Sequence, residues 1–177
     1  MQMVRARRQL ARRTRLALTH LHTHAQPAKS SHPSLLRVHR LHHLSKDYVS
    51  ILLDPNGEFI FFQCRQGPYI PTLRFLHKYP DILPKYQVDR GAVPFVLSGA
   101  NIMAPGLTSA GGAMDDVPAE SVVAVMVQGK EHAIAIGVTT MSTEDIRSVN
   151  KGNAVENTHW LNDGLWTLRS IVVGETK

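Results

Sequence analysis

The chain has 177 residues, 43% of them hydrophobic and 19% charged, which is enough apolar material for one packed domain or two small ones. The formal net charge is +6, yet residues 1–46 hold 10 of the 20 Lys and Arg residues and none of the 14 acidic ones. The single cysteine, Cys64, excludes an intrachain disulfide and cysteine-rich zinc or iron–sulfur sites.

Residues 1–45 are expected to form a basic arm that is disordered or is not the natural start of the chain. Six of the first fifteen residues are Arg, and seven of the ten histidines lie in this segment. Three interpretations stay open: an organellar transit peptide, a flexible tail that binds RNA phosphates through charge alone, or a wrongly assigned chain start. His20, His22 and His24 alternate as metal ligands on a strand would, but no carboxylate lies nearby in sequence, so we predict no metal site.

The ordered part of the chain is predicted to begin with a β-hairpin and a short helix. Residues 48–53 and 58–62 are apolar enough for two strands, and the intervening residues 54–57 (Asp-Pro-Asn-Gly) favour a turn. The apolar spacing in residues 72–79 predicts a helix with one buried face. These elements predict a small α+β N-terminal domain over residues 46–86, whose completeness the sequence leaves open.

The second unit, residues 87–173, is predicted to open with a capped helix. Asp89 is a good N-cap for a short helix that Gly99 can close. Pro94 falls inside this helix, where its missing N–H costs a hydrogen bond, so we expect the helix to begin late or to be distorted. Residues 91–114 carry no Asp, Glu, Lys or Arg, but their prolines and glycines predict loops and turns rather than a membrane span.

The rest of the second unit is predicted to consist mainly of short strands. Residues 121–128 and 131–138 form a hairpin around a two-residue type II′ turn, Gly129-Lys130. Their near-continuous apolar runs predict strands that are covered on both faces. The other expected elements are a strand running into a turn (101–107), a helix from its N-cap Ser142 to Gly152, and a last strand with a turn (159–168).

No residues in the chain form a recognisable catalytic set. Cys64 follows two phenylalanines and is expected to be a small buried residue, since no catalytic-cysteine motif surrounds it. Asp115 and Asp116 are adjacent in a loop, where a solvated turn is the simpler interpretation of two carboxylates. Gly111 and Gly112 lack the flanking pattern of a phosphate-binding loop. We therefore predict a non-catalytic protein that uses no cofactor.

The segment Ser98-Gly99-Ala100-Asn101 is the best candidate for a nucleic-acid contact. Two tiny residues beside two polar ones let a nucleic-acid backbone approach closely and offer main-chain N–H donors. The alternative is that Gly99 merely caps the preceding helix, and the sequence leaves both open. Further positive charge is predicted from Lys85, Arg90 and Lys130, and on the first unit from Arg74 and Lys78.

Two groups of segments resemble known families. Residues 88–92 and 96–106 resemble the signature of the PUA domain, an RNA-binding module of pseudouridine synthases and archaeosine transglycosylases. Residues 67–80 and the closing Asn-Asp-Gly-Leu-Trp at 162–166 resemble the malignant T-cell-amplified sequence family, whose yeast relatives are the translation machinery-associated proteins. The resemblance covers roughly residues 48–170, and residues 1–45 do not resemble the usual start of that family.

The resemblance implies a fold and a function. The fold is α+β, with a small N-terminal domain followed by a PUA β-pseudobarrel. The function is non-catalytic and cytoplasmic: with a density-regulated-type protein, the family acts on the small ribosomal subunit in translation initiation, reinitiation and ribosome recycling, which removes deacylated tRNA. The PUA domain is expected to face the tRNA acceptor end through Gly99, Ala100, Asn101, Met103, Pro105 and Gly106.

Two other functions stay open at this stage. One is an accessory of tRNA or rRNA modification, because PUA domains commonly accompany modifying enzymes. The other is an organellar RNA-binding protein, mitochondrial if residues 1–46 are a transit peptide. To test the candidate loop, we expect Gly99→Glu to weaken tRNA or subunit binding while leaving the fold intact.

Overall fold

The computed structural model of the protein describes residues 37–41, 49–54, 56–64 and 67–168. Most of the predicted arm, and with it the three interpretations of that arm, lies outside the described residues. The described part contains two β-sheets with short helices against them. This confirms the predicted α+β class.

The first sheet is antiparallel and has the strand order β1-β2-β3-β4. Its strands are β1 (Arg37–Leu41), β2 (Val49–Leu53), β3 (Phe59–Cys64) and β4 (Ile70–Pro71). The predicted hairpin is confirmed: Oδ1 of Asp54 accepts the N–H groups of Asn56 and Glu58 at 2.8 Å, which closes the turn. Strand β1 lies inside the segment predicted as an arm, so this sheet begins before residue 46.

Helix α1 (Leu73–Lys78) confirms the predicted short helix. Oγ1 of Thr72 accepts the N–H of Phe75 and donates to the carbonyl of Phe59 at 2.7 Å, so one hydroxyl caps the helix and joins it to β3. The buried face of the helix consists of Leu73, Phe75 and Leu76.

The second sheet has six strands in the order β6-β10-β9-β8-β5-β7. They are β5 (Lys85–Val88), β6 (Ile102–Met103), β7 (Ala113–Met114), β8 (Val122–Val127), β9 (Ala135–Thr139) and β10 (Asn153–Trp160). Strand β5 pairs with β8 in parallel, and the other pairs are antiparallel. Because β5 begins at Lys85, it crosses the boundary predicted between residues 86 and 87.

Four helices accompany this sheet in the described part of the chain: α2 (Val93–Leu97), α3 (Ala104–Thr108), α4 (Thr143–Val149) and α5 (Gly164–Thr167). A 3₁₀ turn, Arg90–Ala92, comes before α2, and Asp89 caps this turn rather than the helix itself, whose N-cap residue is Ala92. The expected conflict at Pro94 is resolved because α2 begins only at Val93. Pro94 therefore lies in the first turn, where its missing N–H has no helical partner to lose.

Three predicted details of the second unit are wrong. The strand at 101–107 is only two residues long and continues as helix α3 rather than a turn. The final strand begins at Asn153, and the segment predicted to end it folds into α5 because Asp163 caps that helix. Helix α4 ends at Asn150, whose φ of +47° closes the helix before Gly152 is reached.

The β8–β9 hairpin also differs from the prediction. Val125 pairs with Ala135, one residue away from the register that a two-residue Gly129-Lys130 turn requires. The connection therefore spans residues 128–134, and Ala133 and Ile134 in it are buried. Burial of these two apolar side chains outweighs the local turn preference. The strands themselves are covered on both faces, as predicted, since Val122–Val125 are all buried.

The two sheets share one hydrophobic cluster. Ile51, Phe62 and Leu73 of the first unit pack in it with Val122 and Ile136 of the second. A separate cluster fills the interior of the six-stranded unit, with Tyr86 and Val125 fully buried. One side of the six-stranded unit is therefore covered by the first unit, and α2 and α3 lie elsewhere on its surface.

Candidate nucleic-acid interface

An exposed strip of side chains runs from the 3₁₀ turn through α2 and β6 to the start of α3. Phe95 is 67% exposed and Met103 is 52% exposed, which is unusual for large apolar side chains. We define the α2–α3 stripe as Arg90, Phe95, Ala100, Asn101, Met103 and Pro105, all of them exposed. Val96 is the one fully buried residue of α2, and Val93 and Leu97 are partly buried against the core. Pro94 and Phe95 on the same helix are exposed, so the outer side of α2 is open to a ligand.

Gly99 closes helix α2. Its φ is +85°, and its N–H donates to the carbonyl of Val96 at 3.0 Å. The N–H of Ala100 donates to Phe95 at 3.0 Å, and that of Ser98 donates to Pro94 at 3.1 Å. The helix-cap interpretation of Gly99 is thus correct. The expectation that this loop offers free main-chain N–H donors to phosphate is wrong for residues 98–100, because α2 uses all three.

The loop offers side chains instead. Oδ1 of Asn101 accepts the main-chain N–H of Asn157 at 3.0 Å, while its Nδ2 has no hydrogen-bond partner within the described residues. Ala100, Met103 and Pro105 add apolar surface on either side. Four of the six predicted loop residues are therefore exposed together.

Gly106 has a different place. It is half-buried, its carbonyl accepts the N–H of Asp89 at 3.4 Å, and a Cβ at position 106 would lie 4.0 Å from that of Ala92. Gly106 thus packs α3 against the 3₁₀ turn. Like Gly99, it shapes the backbone of the site rather than its surface.

Two of the three predicted supporting cations lie together. Nη2 of Arg90 would be 3.4 Å from a Cβ at Gly129, which places Arg90 beside the loop that carries Lys130. Both side chains are exposed and, within the described ranges, neither forms a salt bridge. Their charge is available to a phosphate.

The third cation, Lys85, lies at the opposite end of β5. Its Nζ is 2.8 Å from Oδ1 of Asp81, and its N–H donates to Oδ2 of Asp115 at 2.8 Å. This end of the strand is acidic, and the carboxylates offset the charge of Lys85. The structure does not bring Lys85 to the α2–α3 stripe.

Asp89 is the one acidic residue that adjoins the stripe in sequence. Its side chain accepts hydrogen bonds from Oγ of Ser109 at 2.9 Å and from the N–H of Ala92 at 3.0 Å. These bonds, with that from Ser109 the larger, hold the pKa of Asp89 below its ordinary value. The carboxylate is therefore committed to folding the turn that presents Arg90.

The junction between the two units has polar groups of its own. Arg74 stacks on the ring of Trp166, with Cζ 4.4 Å from the ring centre, and donates to its carbonyl at 2.6 Å. Nε2 of His77 lies 2.8 Å from the carbonyl of Ala133. Burial lowers the pKa of His77, and neighbouring His132 and Arg74 add to this effect. The first-unit cations do not form a phosphate site here, since Lys78 pairs with Glu58.

A His–Asp pair, in which the histidine is buried, completes the junction. Nδ1 of His159 is 2.6 Å from Oδ2 of Asp163, and the His159 ring meets Phe62 of the first unit edge-on at 5.6 Å. Burial by itself raises the pKa of Asp163, but hydrogen bonds from His159 and from the N–H of Trp166 outweigh it. The pKa of Asp163 is therefore below its ordinary value.

The two carboxylates considered for catalysis take part in structural contacts instead. Asp116 pairs with Arg147 at 2.6 Å and Asp115 holds the N–H of Lys85, so each carboxylate has a structural partner. Cys64 is exposed rather than buried as expected. Within the described residues, no three His, Cys, Asp or Glu side chains come together as a metal site would require. In the same residues, no helix has the length and apolar character needed to cross a membrane.

The sequence interpretation missed Phe95, Asn157 and Trp160. The predicted helix contains Phe95, but the prediction does not distinguish the buried face of the helix from the exposed one. A short helix on a sheet buries only one face. Asn157 and Trp160 contact the loop from β10, more than 55 residues further along the chain. No local pattern in the sequence marks such contacts.

The comparisons with known proteins agree with this architecture. The PUA domain family matches residues 84–161, and the Pre-PUA-like domain family matches residues 22–80. Two archaeal structures have a similar fold at 28% identity. A conserved PUA domain protein from Thermoplasma acidophilum has a TM-score of 0.56 and covers 67% of this chain and 74% of its own. A hypothetical protein from Pyrococcus horikoshii has a TM-score of 0.57 and covers 71% of this chain and 81% of its own. The fold and the site define a PUA protein, a class of RNA-binding protein.

Closer relatives identify the family. Malignant T-cell-amplified sequence 1-A of Xenopus laevis is 57% identical over 119 residues, 67% of this chain and 66% of that protein. The chain thus matches just under two thirds of the length of this relative. The Drosophila melanogaster homologue of malignant T-cell-amplified sequence 1 is 46% identical over 154 residues, 83% of this chain and 82% of that protein. This chain belongs to the malignant T-cell-amplified sequence family, as its sequence motifs indicate.

Proposed function

We propose that this chain is a non-catalytic RNA-binding translation factor that acts on the small ribosomal subunit in initiation, reinitiation and the recycling of deacylated tRNA. Its partner would be a density-regulated-type protein, and its RNA ligand the acceptor end of a tRNA. The observation that carries the proposal is the α2–α3 stripe, an exposed apolar surface with two cations at one end, Arg90 and Lys130, that form no salt bridge in the described part of the chain. Membership of the family supplies the translational context.

The stripe suits an RNA end with unpaired bases. Exposed Phe95 provides a ring on which a base can stack, and Met103 provides a second apolar contact. Arg90 and Lys130 can contact the phosphates that connect such bases, and Nδ2 of Asn101 can donate to a base edge or a ribose. The role derived from these residues is to hold and position RNA, with no bond made or broken.

The test is sedimentation of the protein with small ribosomal subunits at near-physiological salt. The arm adds charge-driven adhesion, so the measurement is made in a full-length background in which the six arginines among residues 1–15 are replaced by Gln. In that background we expect the double variant Arg90→Gln/Lys130→Gln to leave the subunit fraction. Lys85→Gln, which removes the same kind of charge at the paired end of β5, is the control and should sediment as its parent does.

Other outcomes separate the rival functions. If the background protein, with its stripe intact, fails to sediment with the subunit and instead co-purifies with an RNA-modifying enzyme, the translation proposal is wrong and the accessory role takes its place. We propose a cytoplasmic location on the same grounds. Imaging of a fusion that keeps the N-terminus unchanged tests it, because mitochondrial import would place the protein with the organellar alternative.

A further inference from the structure

The candidate RNA loop rests on strand β10. In the pairing of β10 with β9, the register shifts between Asn157 and His159. This irregularity lies beside the end of α2, where the loop of residues 98–101 leaves the helix. Two residues around it, Asn157 and Trp160, contact the loop, and neither belongs to the exposed stripe.

Asn157 connects β10 to both sides of the loop. Its Nδ2 donates to the carbonyl of Val96 at 2.9 Å and to that of Ala100 at 3.1 Å. Its main-chain N–H donates to Oδ1 of Asn101 at 3.0 Å. One residue thus fixes the last turn of α2, the loop and the amide orientation of Asn101. Since Oδ1 of Asn101 is held by this bond, its Nδ2 is left to face a ligand.

The side-chain amide of Asn157 bonds to the loop through its nitrogen. Its Oδ1 is buried and has no hydrogen-bond partner in the described part of the chain. The two bonds donated by Nδ2, to the carbonyls of Val96 and Ala100, are therefore the side-chain hydrogen bonds by which Asn157 holds the loop.

Trp160 forms the floor beneath the loop. A Cβ at position 99 would lie 2.7 Å from Cζ2 and 2.8 Å from Cη2 of the Trp160 ring, closer than real Cβ contacts come. The main chain at Gly99 therefore lies directly on the indole. The main chain of Trp160 is held in turn, because its N–H donates to Oδ2 of Asp163 at 3.0 Å.

We propose that Asn157 and Trp160 are positioning residues, which hold the loop of residues 98–101 in the conformation that presents Asn101 and Phe95 to RNA. This inference rests on the proposed RNA-binding function of the α2–α3 stripe. It assigns that function two residues on a distant strand that do not touch the RNA. A loop held by these contacts is preorganised, and RNA binding then does not bear the entropic cost of ordering it.

The test compares RNA affinity with stability in the full chain carrying Gln at the six N-terminal arginines. The probe is a short RNA hairpin with an unpaired 3′ tail, and the readout is the dissociation constant by fluorescence anisotropy across a salt series. We expect Asn157→Ala to weaken binding about tenfold, since two hydrogen bonds that hold the loop are lost. The dependence of affinity on salt should not change, because Arg90 and Lys130 still contact phosphates.

Trp160 is tested with two variants. Trp160→Ala removes the floor and should weaken binding by a similar factor, while Trp160→Phe keeps a ring under Gly99 and should restore most of the affinity. Thr158→Ala is the matched control on the same strand, because within the described residues its hydroxyl bonds only to the carbonyl of Glu156. A merely structural role would lower the melting temperature of these variants without changing the affinity of the folded fraction.

The failure of this inference differs from the failure of the proposed function. Suppose that Phe95→Ala and Arg90→Gln weaken RNA binding, while folded Asn157→Ala and both Trp160 variants bind RNA as tightly as the parent does. In that case the positioning role is wrong and the RNA site stands. If Phe95→Ala and Arg90→Gln leave affinity unchanged, the stripe is not the RNA site and both proposals fall. If Asn157→Ala does not fold, the comparison of Trp160→Phe with Trp160→Ala decides.

Discussion

The junction between the two units and the α2–α3 stripe use similar residues in opposite ways. At the junction, Arg74 stacks on Trp166 and His159 is paired with Asp163, so both charge and ring face other protein groups. In the stripe, Arg90 has no salt bridge within the described ranges and Phe95 is 67% exposed. The difference shows that residue type does not mark a binding surface. What marks a binding surface is whether the side chains have protein partners. Side chains that contact other protein groups stabilise the fold, and side chains without such contacts are available to a ligand.

The largest effect is expected from breaking the junction. Asp163→Ala leaves His159 and the N–H groups of Trp160 and Trp166 without their shared acceptor, and should lower the free energy of unfolding by about 3 kcal/mol. Denaturant unfolding measures it. The control is Asp116→Ala, whose exposed pair with Arg147 should contribute less than about 1 kcal/mol. Equal losses in the two variants would contradict the structural role of the junction.

The next effect is expected at the closure of α2, where the structure corrects the prediction for Gly99→Glu. Any side chain at position 99 meets a φ of +85° and the Trp160 ring, so the fold is not left intact. Gly99→Ala should destabilise the protein by roughly 1–3 kcal/mol, from the positive φ and overpacking. Gly152→Ala shares the positive φ but has open space around its Cβ, and should cost about 1 kcal/mol. If thermal melts show that Gly152→Ala lowers the melting temperature more than Gly99→Ala does, the close contact with Trp160 is contradicted.

The stripe should respond in RNA affinity and not in stability. Phe95→Ala is expected to weaken binding of the tailed RNA hairpin about tenfold, because one stacked base is lost. The free energy of unfolding should change by less than about 0.5 kcal/mol. Val149→Ala is the matched control, an apolar side chain 58% exposed on α4. Both variants are measured by anisotropy. Equal affinities would show that exposure of Phe95 serves something other than RNA.

The smallest effect is a dependence of junction stability on pH. The pKa of His77 is below its ordinary value of 6.5, so the unfolded chain takes up this proton before the folded one does. Stability from this group is therefore present above pH 6.5 and declines as the pH falls below it. His77→Gln should flatten that part of the melting-temperature profile, and RNA affinity at pH 7.5 should not change. If the melting temperature of His77→Gln declines with falling pH as that of the parent does, another group causes the decline.

Part of the fold and of the site could be predicted from the sequence, and local interactions explain which part. The β2–β3 turn depends on hydrogen bonds that Asp54 accepts from residues two and four positions away. Helix α1 depends on its cap Thr72, which accepts the N–H of a residue three positions away. At the end of α2, the N–H groups of residues 98–100 donate to carbonyls three to five positions earlier in the chain. Such contacts lie within the window that sequence patterns describe.

The sequence by itself determined the α+β class, the PUA motif, the hairpin of the first sheet, and the small residues of the candidate loop. Tertiary structure decided the register of β8 and β9, the separation of Lys85 from Arg90 and Lys130, and the exposure of Phe95. It also decided the contact of Asn157 and Trp160 with the loop, across 56 or more positions of the chain. The physical reason is that charge pairing and burial depend on neighbours brought together by the whole fold, whereas caps and turns depend on the next few residues.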